Sequence, residues 1–160
     1  MIPQKGSMNI WALRSHNKNC AKEGADFTKE RGTNQSKNDV NAGAGVAIID
    51  DEKELVRLYE MVFPRRGFTV CFVAHDGFDG VRKFAECKPR PTIVLMDYRL
   101  PTMNGIDAAK QILQIEPRTR IIFISADASA ENEAKAAGAY TFLKKPTSIN
   151  EIIKAINKTC

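Results

Sequence analysis

Long apolar runs are missing from this chain. Stretches such as Ile93–Met96 and Ile121–Ile124 are four residues long, against about 18 for a membrane span. The only apolar patch near the N-terminus, Ile10-Trp11-Ala12-Leu13, is too short for a secretory leader, whose apolar region runs about 7–15 residues. A cytoplasmic protein is therefore expected. Cysteine is sparse. Cys20, Cys71, Cys87 and Cys160 are widely spaced and form no C-x-x-C pair, so no disulfide framework is expected. His16 and Cys20 offer only two ligands in a polar stretch, where structural zinc takes four. A strong charge of one sign is also lacking. Residues 1–45 hold 7 Lys/Arg and 4 Asp/Glu, and residues 46–160 hold 17 and 15. The body is nearly balanced and carries no basic stripe for nucleic acid. Residues 1–44 show no sustained period of 2 or 3.6 and are rich in Asn, Lys, Gly and Ser, which reads as a disordered or linker-like tail. Gly43-Ala44-Gly45 precedes an apolar run instead of following one, so it is no phosphate-cradling loop.

From Val46 the pattern changes. Val46–Ile49 reads as a short strand. Leu55, Leu58, Tyr59, Val62 and Phe63 then recur at helical spacing. Pro64 should end or bend that helix near Phe63. A second strand is predicted over Phe68–Ala74, and a helix over Gly77–Glu86 with Phe78, Val81 and Phe84 on one face. A third strand follows at Thr92–Met96 and a helix at about Ile106–Ile115. Arg120–Ile124 reads as a fourth strand, ending at Ser125, and Glu131–Ala137 as a short helix. Thr141–Leu143 is a fifth strand and Ile149–Ile156 a last helix. Strands alternating with helices of this length imply βαβ units, with helices on both faces of a parallel sheet. The expected organisation is a tail over 1–44 and one open three-layer α/β domain over 45–160.

The stretch from Ile93 to Gly105 organises that domain. Four apolar residues run into one carboxylate, Asp97, and then into Pro101 and Asn104-Gly105. In open α/β sheets ligands bind at the carboxyl ends of strands. Taken alone, Asp97 reads equally well as a helix cap. Other strands end in a comparable way: the first at Asp50-Asp51, the fourth at Ser125, and the fifth runs to Lys145. In a parallel sheet these ends share one edge. Several carboxylates at one spot favour a cation between them, and oxygen ligation suits Mg²⁺. An ammonium and a hydroxyl beside them suit a phosphoryl group. An Asp can act as nucleophile and form an acyl phosphate, and phosphoryl transfer needs mainly positioning and charge neutralisation.

These residues carry a resemblance. Asp50-Asp51, Asp97 with Pro101, Met103 and Gly105, Ser125-Ala126 and Lys145-Pro146 resemble the motifs of two-component response-regulator receiver domains, over about residues 46–158. The resemblance implies a flavodoxin-like fold with a five-stranded parallel sheet. It implies that Asp97 accepts phosphate from a sensor histidine kinase or phosphotransfer protein. Asp51, Asp97 and the backbone carbonyl of Arg99 would bind Mg²⁺ directly, with Asp50 acting through water. Lys145 would pair with the phosphoryl oxygens, and Ser125 would swing in to hydrogen-bond the phosphate. Phe142 falls at the switch aromatic, with Tyr140 packing at the strand start. Lys145-Pro146 would be cis. After Pro146 only 14 residues follow, so the chain resembles the single-domain, chemotaxis-regulator-like type.

Such a protein is a switch that phosphorylates and dephosphorylates itself, not a turnover enzyme. Its expected partners are the kinase and a downstream protein target, with a phosphorylation-linked homodimer allowed and neither membrane nor nucleic acid expected. Two other classes compete with this reading. An aspartyl-phosphate phosphotransferase or phosphatase with a D-x-D motif would place a second Asp at position 99, which is Arg. A scaffold that takes no phosphate would not need the acidic pair, Ser125 and Lys145 together. A weaker reading, DNA binding through the basic tail, predicts salt-dependent binding lost without residues 1–44. Arg99 and Asp127 occupy the two variable flanking positions of the family. Their opposite charges suggest an ion pair that gates Asp97.

Overall fold

The computed structural model describes residues 44–159. The tail and the His16/Cys20 pair lie outside the described residues, as does Cys160. The elements alternate as expected. They are β1 (Gly45–Ile49), α1 (Lys53–Arg65), β2 (Thr69–Ala74), α2 (Gly77–Glu86), β3 (Ile93–Asp97), α3 (Gly105–Ile115), β4 (Arg120–Ser125), α4 (Ala130–Ala136), β5 (Thr141–Lys144) and α5 (Ile149–Lys158). The five strands form one parallel sheet in the order β2-β1-β3-β4-β5. This is the flavodoxin-like order, whose direction of winding reverses between β1 and β3. The carboxyl ends of those two strands therefore face a crevice that no crossover covers.

Period-2 alternation divides the strand residues between two cores. Val46, Ile48, Leu95, Ile122 and Ile124 pack against Val56, Tyr59 and Phe63 of α1 and Ile152 and Ile156 of α5. Ala47, Ile49, Val94, Met96, Ile121 and Phe123 face Phe84 of α2, Ala109 and Ile112 of α3 and Ala134 of α4. Both faces of the central strands are thus covered, as their unbroken apolar runs require.

Three readings of the helices need correction. Helix α1 continues through Pro64 to Arg65. Pro64 falls in the last turn, where the Gly67 N–H donates to Pro64 O and the Phe68 N–H to Phe63 O. That double closure is a Schellman motif, and Gly67 supplies its left-handed residue at φ 84°. The buried stripe of α1 is Val56, Tyr59 and Phe63, while Leu58 is 39% exposed. In α2 the helix rolls so that Gly77, Gly80 and Phe84 face inward and Phe78 is 65% exposed. A Cβ at Gly80 would lie 2.6 Å from Ile49 Cδ1, so small residues let α2 sit close to the sheet, and the bulky Phe78 turns out.

Candidate functional site

Asp97 is the last residue of β3 and is 7% exposed. It caps no helix: the N-cap of α3 is Asn104, whose side chain accepts the Asp107 N–H. Asp97 Oδ2 accepts the Arg99 N–H at 2.7 Å, and Oδ1 lies 3.0 Å from Lys145 Nζ. The chain then turns sharply. The Met103 N–H donates to Pro101 O at 2.7 Å around Thr102, which has φ 65°. This is a γ-turn, strained for a β-branched residue. Thr102 Oγ1 donates to Asp76 Oδ1 at 3.0 Å, tying the turn to the start of α2. Gly105 completes the loop by donating to Tyr98 O. A Cβ there would lie 2.2 Å from Asp97 O, so only glycine lets the loop fold back on the strand that carries Asp97.

Asp50 and Asp51 follow β1, the neighbour of β3. Asp50 is buried and Asp51 is exposed. Asp50 Oδ1 accepts the Glu52 N–H at 2.9 Å, and Oδ2 meets Lys145 Nζ at 3.3 Å. Burial pushes the Asp50 carboxyl above its usual range. The Glu52 amide and Lys145 pull it down, and the Asp97 charge adds to the rise. The same acidic field reaches Tyr59 beneath the site, whose hydroxyl is pushed up to about 12 by burial and then by Asp50.

Lys145 follows β5 and reaches across from the far side of β4. Its ammonium meets three carboxylates: Glu52 at 2.7 Å, Asp97 at 3.0 Å and Asp50 at 3.3 Å. Burial alone would lower its pKa. The bonds to Glu52 and Asp97 and the charges around it outweigh that and hold it above the ordinary lysine range. Glu52 is the residue that sequence reasoning missed. It is the N-cap of α1, yet its side chain makes no cap bond, which leaves it free to turn toward Lys145. Adjacency to Asp50-Asp51 was the available signal. A partner 93 positions away was not legible.

Ser125 ends β4 and is buried. Its Oγ accepts the Asp127 N–H at 3.1 Å. Arg99 Nη2 and Asp127 Oδ2 meet at 2.8 Å over the mouth of the site. Hydrogen bonds from Ser129 and then Arg99 lower the Asp127 carboxyl to about 2. A second bridge ties the loop after β3 to α4, with Tyr98 Oη donating to Glu133 Oε2 at 2.9 Å. Phe142 is half-buried against the core formed with α2, α3 and α4, apart from the charged cluster. Tyr140 precedes β5, under the Arg120 guanidinium, and its hydroxyl donates to Lys158 O. Lys145-Pro146 is cis.

Asp51, Glu52, Asp97, Arg99, Ser125, Asp127 and Lys145 line one open cleft of about 570 Å³. Among the described residues no three His, Cys, Asp or Glu side chains form a ready-made metal cage. Mg²⁺ needs none, since it binds through one or two carboxylates plus waters and phosphate oxygens. Three carboxylates on one ammonium, with Asp51 lining the same cleft, leave an excess of anionic oxygen, and that donor set fits the ion. A cleft with a buried carboxylate, a fixed ammonium and a hydroxyl can receive a tetrahedral oxyanion.

Residues 46–157 match the family model described as response regulator receiver domain. The chain is 37% identical to the chemotaxis protein CheY of Thermotoga maritima over 118 residues, 72% of this chain and 97% of that protein. It is 36% identical to CheY of Bacillus subtilis, covering 71% and 95%. Among solved structures it is similar to the CheX-CheY-BeF3-Mg+2 complex of Borrelia burgdorferi, with a TM-score of 0.67, 28% identity and coverage of 71% of this chain and 87% of that one. With a parallel sheet in flavodoxin-like order and acidic, hydroxyl and lysine side chains gathered at one edge, the chain belongs to the response-regulator receiver family.

Proposed function

We propose that this receiver accepts a phosphoryl group on Asp97 from a histidine kinase or phosphotransfer protein, in a Mg²⁺-dependent reaction, and thereby switches a surface that binds a downstream protein. The observation that carries the reading is the setting of Asp97. It is nearly buried at a strand end, open to a cleft, oriented by the Arg99 amide and 3.0 Å from Lys145 Nζ. A carboxylate oxygen of Asp97 attacks phosphorus, the bond from phosphorus to the donor imidazole breaks, and an acyl phosphate forms. Asp51, Asp97 and the Arg99 carbonyl would hold Mg²⁺, with Asp50 acting through water, and the ion would supply positive charge against the phosphoryl oxygens.

Lys145 exchanges a carboxylate partner for a phosphoryl oxygen. Ser125 Oγ accepts the Asp127 N–H and keeps an O–H proton that can be donated to the phosphate. Moving Ser125 to do so shifts the loop after β4, and Phe142 on neighbouring β5 repacks with it. Phosphorylation thus biases two conformations of one surface. Water later hydrolyses the acyl phosphate, so the protein acts as a switch and not as a turnover catalyst.

Incubation with acetyl phosphate and Mg²⁺, followed by intact mass, tests the nucleophile. Wild type should gain one phosphate and Asp97→Asn none, because the amide keeps the shape but loses the attacking anion. A gain that persists in Asp97→Asn, or no gain in wild type, overturns the assignment.

A further inference from the structure

An ammonium carries three hydrogens, and Lys145 Nζ faces three carboxylates: Glu52 Oε1 at 2.7 Å, Asp97 Oδ1 at 3.0 Å and Asp50 Oδ2 at 3.3 Å. A further anionic oxygen can reach Nζ only if one of the three yields. They are not equally able to do so. The Asp50 side chain is 5% exposed, and its other oxygen accepts the Glu52 N–H at 2.9 Å. The Asp97 side chain is 8% exposed, and its other oxygen accepts the Arg99 N–H at 2.7 Å. Glu52 is different. Its side chain is 59% exposed, makes no cap bond to α1, and among the described residues has Lys145 as its one hydrogen-bond and ion-pair partner. Taking a buried carboxylate off its counter-ion strands a charge away from water. An exposed carboxylate gives up its partner at little cost.

We infer that Glu52 is a positioning residue for the reaction proposed at Asp97: it clamps Lys145 in the resting protein and is the partner that the phosphoryl group displaces. The inference rests on that reading of Asp97 and names the carboxylate that Lys145 gives up. Glu52 acts through Lys145 and not on the reacting atoms. Charge drives the exchange as well as donor count. The Asp97 carboxylate carries one negative charge, and a phosphoryl group about two. Repulsion across the cleft therefore grows as the acyl phosphate forms, and Glu52 turns out to water. Before that, its carboxylate competes for Nζ and opposes any anionic donor that enters. The clamp holds back phosphorylation by small donors.

The test compares full-length wild type, Glu52→Gln and Glu52→Ser. Gln keeps the shape and removes the charge. Ser also removes the charge, and supplies a preferred N-cap for α1. With acetyl phosphate and Mg²⁺, an Asp97 oxygen attacks phosphorus, the bond from phosphorus to the acetyl oxygen breaks, and acetate leaves. Intact mass follows the gain. Both variants should take up phosphate severalfold faster than wild type, and the advantage should shrink as added salt screens the repulsion. Beryllium trifluoride with Mg²⁺ stands in for the phosphoryl group without transferring one. Its Kd, from NMR titration of backbone amides, should fall severalfold in both variants.

Equal or slower phosphorylation in both variants, or weaker beryllium trifluoride binding, would overturn the inference, because Glu52 would then orient Lys145 or help hold the cation. A gain confined to Glu52→Ser would trace to its helix cap and would overturn it too. Wild type that gains no phosphate, or a gain that persists in Asp97→Asn, would overturn the reading of Asp97 itself, and the inference with it.

Discussion

At the amino end of the sheet, polar groups are met by near neighbours; at the carboxyl end, several carboxylates draw on one ammonium. The Thr92 N–H donates to Gly45 O, the Arg120 N–H to Thr92 O and the Tyr140 N–H to Ile121 O. Arg120 covers the Tyr140 ring at 4.8 Å, and the Tyr140 hydroxyl is bound to Lys158 O. Across the sheet, Asp50, Asp97 and Glu52 share Lys145, and Asp51 adds a further negative charge. Apart from the buried Arg90 Nε just before β3, which has no hydrogen-bond partner, the same strands thus end in a locally paired edge on one side and an electrostatically unbalanced one on the other. An unbalanced edge costs folding energy, and a ligand that supplies positive charge or hydrogen-bond donors can recover it. Function sits where the fold is left incomplete.

Metal addition should separate the two ends most strongly. Mg²⁺, proposed above to bind the folded carboxylates, should stabilise by mass action, by about 2.7 kcal/mol at a hundredfold excess over Kd. Asp51→Ala should remove most of that gain while leaving the amino end untouched. Thermal melts with and without Mg²⁺ measure it. An equal rise in wild type and variant would mean that the cation binds elsewhere.

Removing one buried charge should act more weakly and with a defined pH dependence. The Asp50 pKa is raised on folding from its ordinary 3.8. As pH climbs from that value through the folded-state value, ionisation therefore costs stability, and at neutral pH the full cost stands. Asp50→Asn keeps an acceptor for the Glu52 N–H and for Lys145 but carries no charge. Without Mg²⁺ it should melt a few degrees higher than wild type at neutral pH. The gain should shrink as pH falls through the folded-state value toward 3.8. A variant less stable than wild type at neutral pH would show that pairing with Lys145 outweighs the burial cost.

The smallest effect is expected from the exposed Arg99–Asp127 pair, proposed as a loose gate over Asp97. It should hinder the water that hydrolyses the acyl phosphate. Arg99→Ala and Asp127→Ala should each dephosphorylate several-fold faster, and the double variant should be non-additive. Unchanged or slower loss in both single variants would leave the pair without a gating role.

The architecture was legible because period and punctuation are local properties. Alternating apolar runs and helical stripes, cut by Gly67, Pro89, Pro91 and Gly138, marked ten elements to within a residue or two. Asp97, Asp50-Asp51, Ser125 and Lys145 were legible as strand-end residues for the same reason, since parallel strands must present their carboxyl ends together. What faces inward on a helix was less so. Phe78 and Leu58 fit an apolar stripe by spacing, but Gly80 against Ile49 and Val56 in the core set the actual roll.

By itself the sequence determined a parallel α/β sheet and the chemical kinds gathered at its edge, because both follow from periodicity and chain direction. Only the tertiary structure decided that Glu52 is the closest carboxylate to Lys145, that Phe78 turns outward, and that the β1–β2 register slips by one residue at Cys71. These depend on strand register, helix roll and rotamer, which packing fixes and no local pattern encodes.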